Sequence, residues 1–456
     1  MKTSDVLNRY AILLIFVAAF VFYGISAGVK ITKQTKTPHY IYLAYSFLHG
    51  KTNLIATPDG KFDLISFEGK SYVIGGVAPA LLALPFVAVF GITFSDVLFG
   101  VFIGALNVAM MYSLLTRLVE KTSTRIWLTV FFASGTSHWA LASVGSVWLN
   151  AQLTALLFMI LFAWATIRDE TWQAGLWLGL ASLARPPIVV AALFYLTYVF
   201  IRESNIGREQ TRIDAEKKIR ALRVFSCLIL KKLIPFGLAL CGCWIFTLGY
   251  NYLRFGAPLD FGYEYLVGTK TLTDAYAASG GFNVQYMPCN IYVSLLGAPN
   301  IDLPLLPRVN AMCAHLDPIT RDFGKASKFF NPLGMSMFLA APALLLIFRA
   351  KLRDDLVVPA WVGAISVLIP LWMYHATGWV QFGYRFTTDF MVFILILLAR
   401  AVKQVGYLEK TLIGLSVIMG AIGMYLTYYS VFGLFWHEMF YKLLYELTRK
   451  IYRIAF

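Results

Sequence analysis

Two acid–base candidates and two arginines stand out. Asp63 lies in "KFDL", between apolar residues, and His39 follows a proline in "TPHYIYLAY". A carboxylate or a near-neutral imidazole can accept a proton from an attacking hydroxyl. Arg185 in "LARPP" and Arg385 in "GYRFTTDF" interrupt long apolar runs. Guanidinium groups there could bind and neutralise a leaving phosphate, with Lys36 in "KTPHY" as a helper. His375 and Tyr384 stand near Arg385 in "YHATGWVQFGYR", a turn suited to a head group or a sugar. An aromatic interface belt would also place Trp379 and Tyr384 there. Asp260 and Glu264 in "PLDFGYEY" could meet an acceptor or a metal, while a solvated loop face is the more ordinary account of them. Asp59 in "TPDGK" and Glu68 in "FEGK" read as turn residues, and His138 in "GTSHWA" as a packed histidine near a helix end.

The composition says what must hold these groups. Of 456 residues, 59% are hydrophobic and 14% charged, with mean hydropathy +0.68. Soluble chains are nearer half apolar and a quarter charged. Several runs reach the roughly 20 residues that cross a bilayer, and lipid leaves the helix as the natural way to satisfy the backbone. The expected fold is an all-α polytopic membrane protein. Spans are expected at about Tyr10–Val29, Asp96–Leu115, Ile126–Ser143, Val147–Ile167, two short ones meeting at Arg185, Leu233–Tyr252, Asn331–Phe348, Leu356–Tyr374, Phe386–Leu398 and Leu412–Val431. That makes about 11 transmembrane helices in one integral domain.

Polar stretches divide the spans. Residues 31–95 form a first long loop, containing a short "KSYVI" strand candidate and an apolar helix that carries Pro79 and Pro85. Proline breaks the helical ladder, so this helix is expected to lie at the interface. Residues 202–223 form a charged cytoplasmic loop, 254–329 a second long loop, and 433–456 a basic amphipathic tail on a membrane surface. With the N-terminus in the cytoplasm, the short inner loops carry Arg117, Lys121, Arg125, Arg168, Arg349, Lys351, Arg353, Arg400, Lys403 and Lys410. The positive-inside rule then puts both long loops outside, where Arg185 and Arg385 stand against it. The net charge of +15 is accounted for by orientation, with no basic, aromatic-laced module for nucleic acid. Cys227, Cys241 and Cys243 read as packing residues. Cys289 and Cys313 share an outer loop, where a disulfide is open to them in an oxidising compartment.

Several segments, in order along the chain, resemble the GT-C glycosyltransferases, in particular the bacterial branch related to protein mannosyltransferases and aminoarabinose transferases. They are "HYIYLAYSFLHGKTNL", "FDLISFEGKSYVIGGVAPALLALPF", "GLASLARPP", "NYLRFGAPLDFGY" and "GWVQFGYRFTTDF". The resemblance implies a polyprenyl-phosphate sugar donor, attack at the outer face of a bacterial inner membrane, and a lipid, glycan or protein acceptor. It leaves room for a divalent metal. The family places one or two acids at the start of the first outer loop, and here Lys36 and Thr37 stand in their place. The catalytic base is therefore expected at Asp63 or His39, with Arg385, Arg185 and Lys36 on the phosphate and His375, Tyr384, Glu264 and Asp260 toward substrate. Two other readings stay open: a transporter or flippase of a lipid-linked sugar, and a lipid-binding relative without catalysis. Transporters usually carry inverted repeats, and none is visible.

Overall fold

A computed structural model describes residues 3–210, 215–268, 270–297, 313, 333–378 and 381–425. The tail 433–456, Trp379 and most of the second loop beyond residue 297 lie outside the described residues. The molecule is a helical assembly of the expected class, with one small sheet.

The first helix, α1 (Thr3–Ala27), leads into α2 (His39–Leu48) in the first loop. A hairpin follows, β1 (Leu64–Phe67) and β2 (Lys70–Val73). Its turn is Glu68–Gly69, both at positive φ (48° and 72°), as a two-residue hairpin requires. The strand in "KSYVI" and the turn role of Glu68 are thus what the sequence implied. Then come α3 (Ala78–Phe90), α4 (Asp96–Leu118), α5 (Thr122–Ser134), α6 (His138–Val144), α7 (Val147–Ile167), α8 (Thr171–Ala184), α9 (Ala192–Gln210) and α10 (Ala215–Phe255). In the second loop β3 (Leu266–Val267) adds to the hairpin in the order β2-β1-β3, antiparallel to β1. The two outer loops are therefore one structure. A short helix, α11 (Lys270–Ser279), and α12 (Met287–Ile291) follow, and Cys289 is bridged to Cys313. The last elements are α13 (Met337–Ala340), α14 (Val357–Trp372), α15 (Met391–Ala401) and α16 (Tyr407–Gly423).

Among the described residues, five helices are long and apolar enough to cross a membrane: Tyr10–Thr32, Asp96–Leu118, Val147–Ile167, Pro186–Ser204 and Leu228–Phe255. Other expected spans are broken. Ile126–Ser143 is divided between α5 and α6 at Gly135, and Asn331–Phe348 between α13 and a 3-10 helix at Pro342–Arg349. The expected cytoplasmic loop 202–223 is largely helix, because α9 and α10 run into it from both sides. With 13 residues, α3 is too short to span, and its tip exposes Val89 and Phe90.

Local chemistry explains how the loops dock. Ser95 caps α4, accepting from the Leu98 N–H at 3.1 Å, and its hydroxyl donates to the Lys33 carbonyl at 2.6 Å. A Cβ at Gly76 would lie 1.7 Å from the Leu183 carbonyl oxygen. Only glycine allows the strand-to-helix connection to press against the end of α8, next to Arg185. Helix α7 is buried nearly all round and forms the centre of the continuous core. A smaller cluster, Ile65, Tyr72, Ile74 and Phe255, lies under the sheet with Trp148 of α7 against it.

Candidate functional site

Trp148 and Gln152, one helical turn apart on α7, mark where the loops meet the helices. Gln152 Oε1 accepts from Arg385 Nη1 at 3.3 Å, and its Nε2 reaches Asp389 Oδ1 at 3.4 Å. Arg185, just past α8, places Nη2 2.8 Å from Asp389 Oδ2. Asp389 is 1% exposed. Both guanidinium groups lie over the Phe386 ring, at 5.2 and 5.4 Å from its centre. The 3-10 helix Arg385–Phe390 carries Arg385, Phe386 and Asp389 together, and Arg385 Nε donates to the Gly378 carbonyl at 3.0 Å. The Arg385 charge acts on both Asp389 and Asp63.

Asp63 feels the Arg385 charge from the loop side. Burial pushes its carboxyl up to about 6, with the Trp148 indole and then the Arg385 charge acting in the opposite direction. Tyr40, Tyr263 and Tyr374 also share its field. Its backbone is at φ 66°, a conformation unusual for a residue other than glycine, and its N–H donates to the Val267 carbonyl of β3 at 2.8 Å. Asp63 and Arg385 thus come within electrostatic range from distant parts of the chain, and Tyr40, Tyr263 and Tyr374 feel both Asp63 and Arg185.

His39 is placed otherwise. Its side chain is fully buried at the start of α2, with Nε2 2.7 Å from the Phe62 carbonyl. Burial lowers its ring to about 4, against a smaller raising effect of that bond. The imidazole is neutral and enclosed, with Nε2 on a backbone carbonyl. Lys36 is exposed; its carbonyl accepts the Gly60 N–H, and among the described residues its amine makes no ion pair. The carboxylate that reaches the start of the first loop comes instead from Asp96 of α4. It accepts from the Thr35 N–H at 2.8 Å, the Thr35 hydroxyl at 2.6 Å and the Ser146 N–H at 3.0 Å.

A cavity of about 700 Å3 opens beside Arg185. Pro186, Val189, Val190 and Trp244 give it an apolar side, and Tyr263, Tyr276, Tyr374, Asp260 and Glu264 a polar one. Asp260 and Glu264 are thus among its lining residues, and Asp260 Oδ1 also accepts the Gly262 N–H of its own turn at 2.7 Å. His375 stands behind that wall, its N–H donating to the Gly281 carbonyl at 3.0 Å and its ring edge-on to Tyr276 and Tyr374. Tyr384 is buried against Phe386, the ring under both guanidinium groups, and also lines a cavity of about 40 Å3 with Trp139 and Met337. Among the described residues no three His, Cys, Asp or Glu side chains gather as metal ligands, and no step is routed through a metal.

Asp389, Gln152, Trp148 and Asp96 were not singled out from sequence. Asp389 stood inside the quoted "GYRFTTDF", four residues after Arg385, and that spacing was its signal. Gln152 and Trp148 lie in an apolar run that reads as membrane span, which hides them.

No protein-family model matches the chain, and no curated protein matches it. Among solved structures it is similar to ArnT from Cupriavidus metallidurans bound to undecaprenyl phosphate, at 11% identity over 86% of this chain and 60% of that one, TM-score 0.39. It is also similar to the archaeal oligosaccharyltransferase AglB from Archaeoglobus fulgidus in complex with an inhibitory peptide and a dolichol-phosphate. That match has 14% identity over 91% of this chain and 56% of that one, TM-score 0.42. The chain spans only a little over half the length of these proteins, and at this distance the likeness says nothing about individual residues.

Proposed function

We propose that the chain is a membrane glycosyltransferase of the GT-C type. It moves a sugar from a polyprenyl-phosphate donor to a lipid, glycan or protein acceptor at the outer face of a bacterial inner membrane. The observation that supports this reading is Asp63, its carboxyl raised to about 6 with the Arg385 charge acting on it, together with a cavity that begins at Pro186, the residue after Arg185, and is lined by Tyr263 and Tyr374, which feel Asp63 and Arg185 alike.

The parts divide the chemistry. The apolar side, with Val189, Val190 and Trp244, suits the isoprenoid units nearest the phosphate. Arg385 and Arg185 hold the phosphate, and their charge stabilises it as it leaves. Tyr263, Tyr276 and Tyr374 offer ring faces to a sugar, and Glu264 accepts from its hydroxyls. Asp63 takes the acceptor's proton. At pH 7 a carboxyl of pKa about 6 is roughly nine-tenths ionised, so the base form is ready. The acceptor oxygen bonds to the anomeric carbon, the bond from that carbon to the phosphate oxygen breaks, and polyprenyl phosphate departs.

The test uses membranes containing the full chain and a panel of labelled polyprenyl-phosphate sugars. Release of polyprenyl phosphate together with label in an acceptor supports the reading. Movement of the intact donor across the bilayer without cleavage favours a flippase. Saturable donor binding with neither event identifies a lipid-binding relative.

A further inference from the structure

His39 and Asp63 enter as rival bases from sequence, and the structure joins them in one device. The residues Lys61–Leu64 form a turn, closed by the Leu64 N–H on the Lys61 carbonyl at 3.2 Å. Its central peptide links Phe62 to Asp63. The carbonyl of that peptide accepts from His39 Nε2 at 2.7 Å, and its N–H donates to Val267 at 2.8 Å. One peptide group is therefore gripped on both sides, by α2 of the first loop and β3 of the second.

The grip has a purpose that packing alone does not explain. Asp63 is at φ 66°, in the third position of the turn. Turns with positive φ there prefer glycine or asparagine, and their central peptide is rotated by roughly half a turn from the commoner kind. For aspartate the conformation costs on the order of 1–3 kcal/mol and persists only where the surroundings enforce it. Released, the peptide would rotate toward the commoner turn and swing the Asp63 carboxyl away from Arg385. The carbonyl can only accept, so Nε2 of His39 carries the proton. Nδ1 has no partner in the described residues, and no other polar contact of the ring is present. The ring stays neutral over the working range, so the bond persists.

We propose that His39 is a positioning residue for Asp63: its Nε2–H holds the Phe62–Asp63 peptide in the rotated state that aims the Asp63 carboxyl at the site. This rests on the glycosyltransferase reading for its effect on rate, and on the turn alone for its effect on structure. The groups facing Asp63 from the packed elements are Arg385, Trp148, Tyr40, Tyr263 and Tyr374, and Arg385 is the cation among them.

The experiment compares His39→Gln, which keeps an N–H donor of similar reach, with His39→Ala, which removes it. Equal amounts of folded protein are used. Two quantities are read: sugar transfer across pH, and amide hydrogen exchange over residues 61–67 in detergent. In His39→Ala, kcat is expected to fall about tenfold or more, as for a displaced catalytic group, with the donor KM within about twofold. Exchange over the turn rises. His39→Gln is expected to recover kcat to within about threefold, keep the acid limb near pH 6 and exchange like wild type. A Gln variant as weak as Ala, an acid limb lost with histidine, or unchanged exchange in Ala would overturn the proposal. If wild type transfers no sugar while the exchange pattern holds, the enzymatic reading fails and the positioning stands.

Discussion

The two ends of helix α7 treat charge in opposite ways. Beyond its C-terminal end, at Arg168, cations and carboxylates form several ion pairs in which at least one partner reaches solvent, although Glu203 and Glu409 are themselves buried. Lys232 meets Asp169 and Glu203 at 2.7 Å, Arg400 meets Asp354 at 3.4 Å, and Arg349 meets Glu409. Lys121 adds a hydrogen bond to Gln404. These basic residues include several that the positive-inside pattern assigns to one face. At the other end, near Trp148 and Gln152, charges are fewer and lie deeper. Arg185 and Asp389 pair inside the protein, and Asp63 keeps a raised carboxyl opposite Arg385. Exposed pairs cost little to make or lose. Buried charged groups are expensive, which is why they mark function.

That contrast can be broken in graded steps. The largest effect belongs to Asp389. Asp389→Ala leaves the Arg185 guanidinium buried without its partner, and about 3–5 kcal/mol of stability should be lost. Thermal unfolding in detergent reads this, and the paired replacement Arg185→Met with Asp389→Leu should restore much of it. Arg385→Lys keeps the charge but loses the planar fork that spans Gly378 and Gln152. Its donor KM should rise about tenfold, measured by titrating the lipid-linked sugar. Asp96→Asn should cost about 1–3 kcal/mol. The amide cannot accept from all three donors of Thr35 and Ser146, and faster proteolysis near residue 35 would report the loosened loop. At the C-terminal end of α7, Glu409→Gln leaves the half-exposed Arg349 to water and should change stability by about 1 kcal/mol or less. A large loss there would erase the distinction between the ends.

Sequence patterns revealed much of this architecture and less of its site. Apolar length marked α1, α4, α7 and much of α10, because a bilayer imposes a length that composition displays. Proline in "LARPP" and at Pro79 and Pro85 marked where helices break or shorten. The turn at Glu68 followed from local chemistry. Hidden were the joins between distant segments: β3 pairing with β1, Asp96 reaching Thr35, and Gln152 standing between Arg385 and Asp389. Each depends on tertiary placement that spacing along the chain does not encode. His39 shows the limit best. Its residue type fits a base near neutral pH, and only its burial against Phe62 reveals a donor to backbone.

The most direct measurement is sugar transfer by wild type and by Asp63→Asn, in membranes with matched amounts of protein and the same polyprenyl-phosphate donor. The substitution keeps size and removes the base. A fall of about 100-fold or more, with the variant still binding donor, is the result expected of a general base. Transfer by Asp63→Asn at the wild-type rate would contradict the account and remove Asp63 from the chemistry.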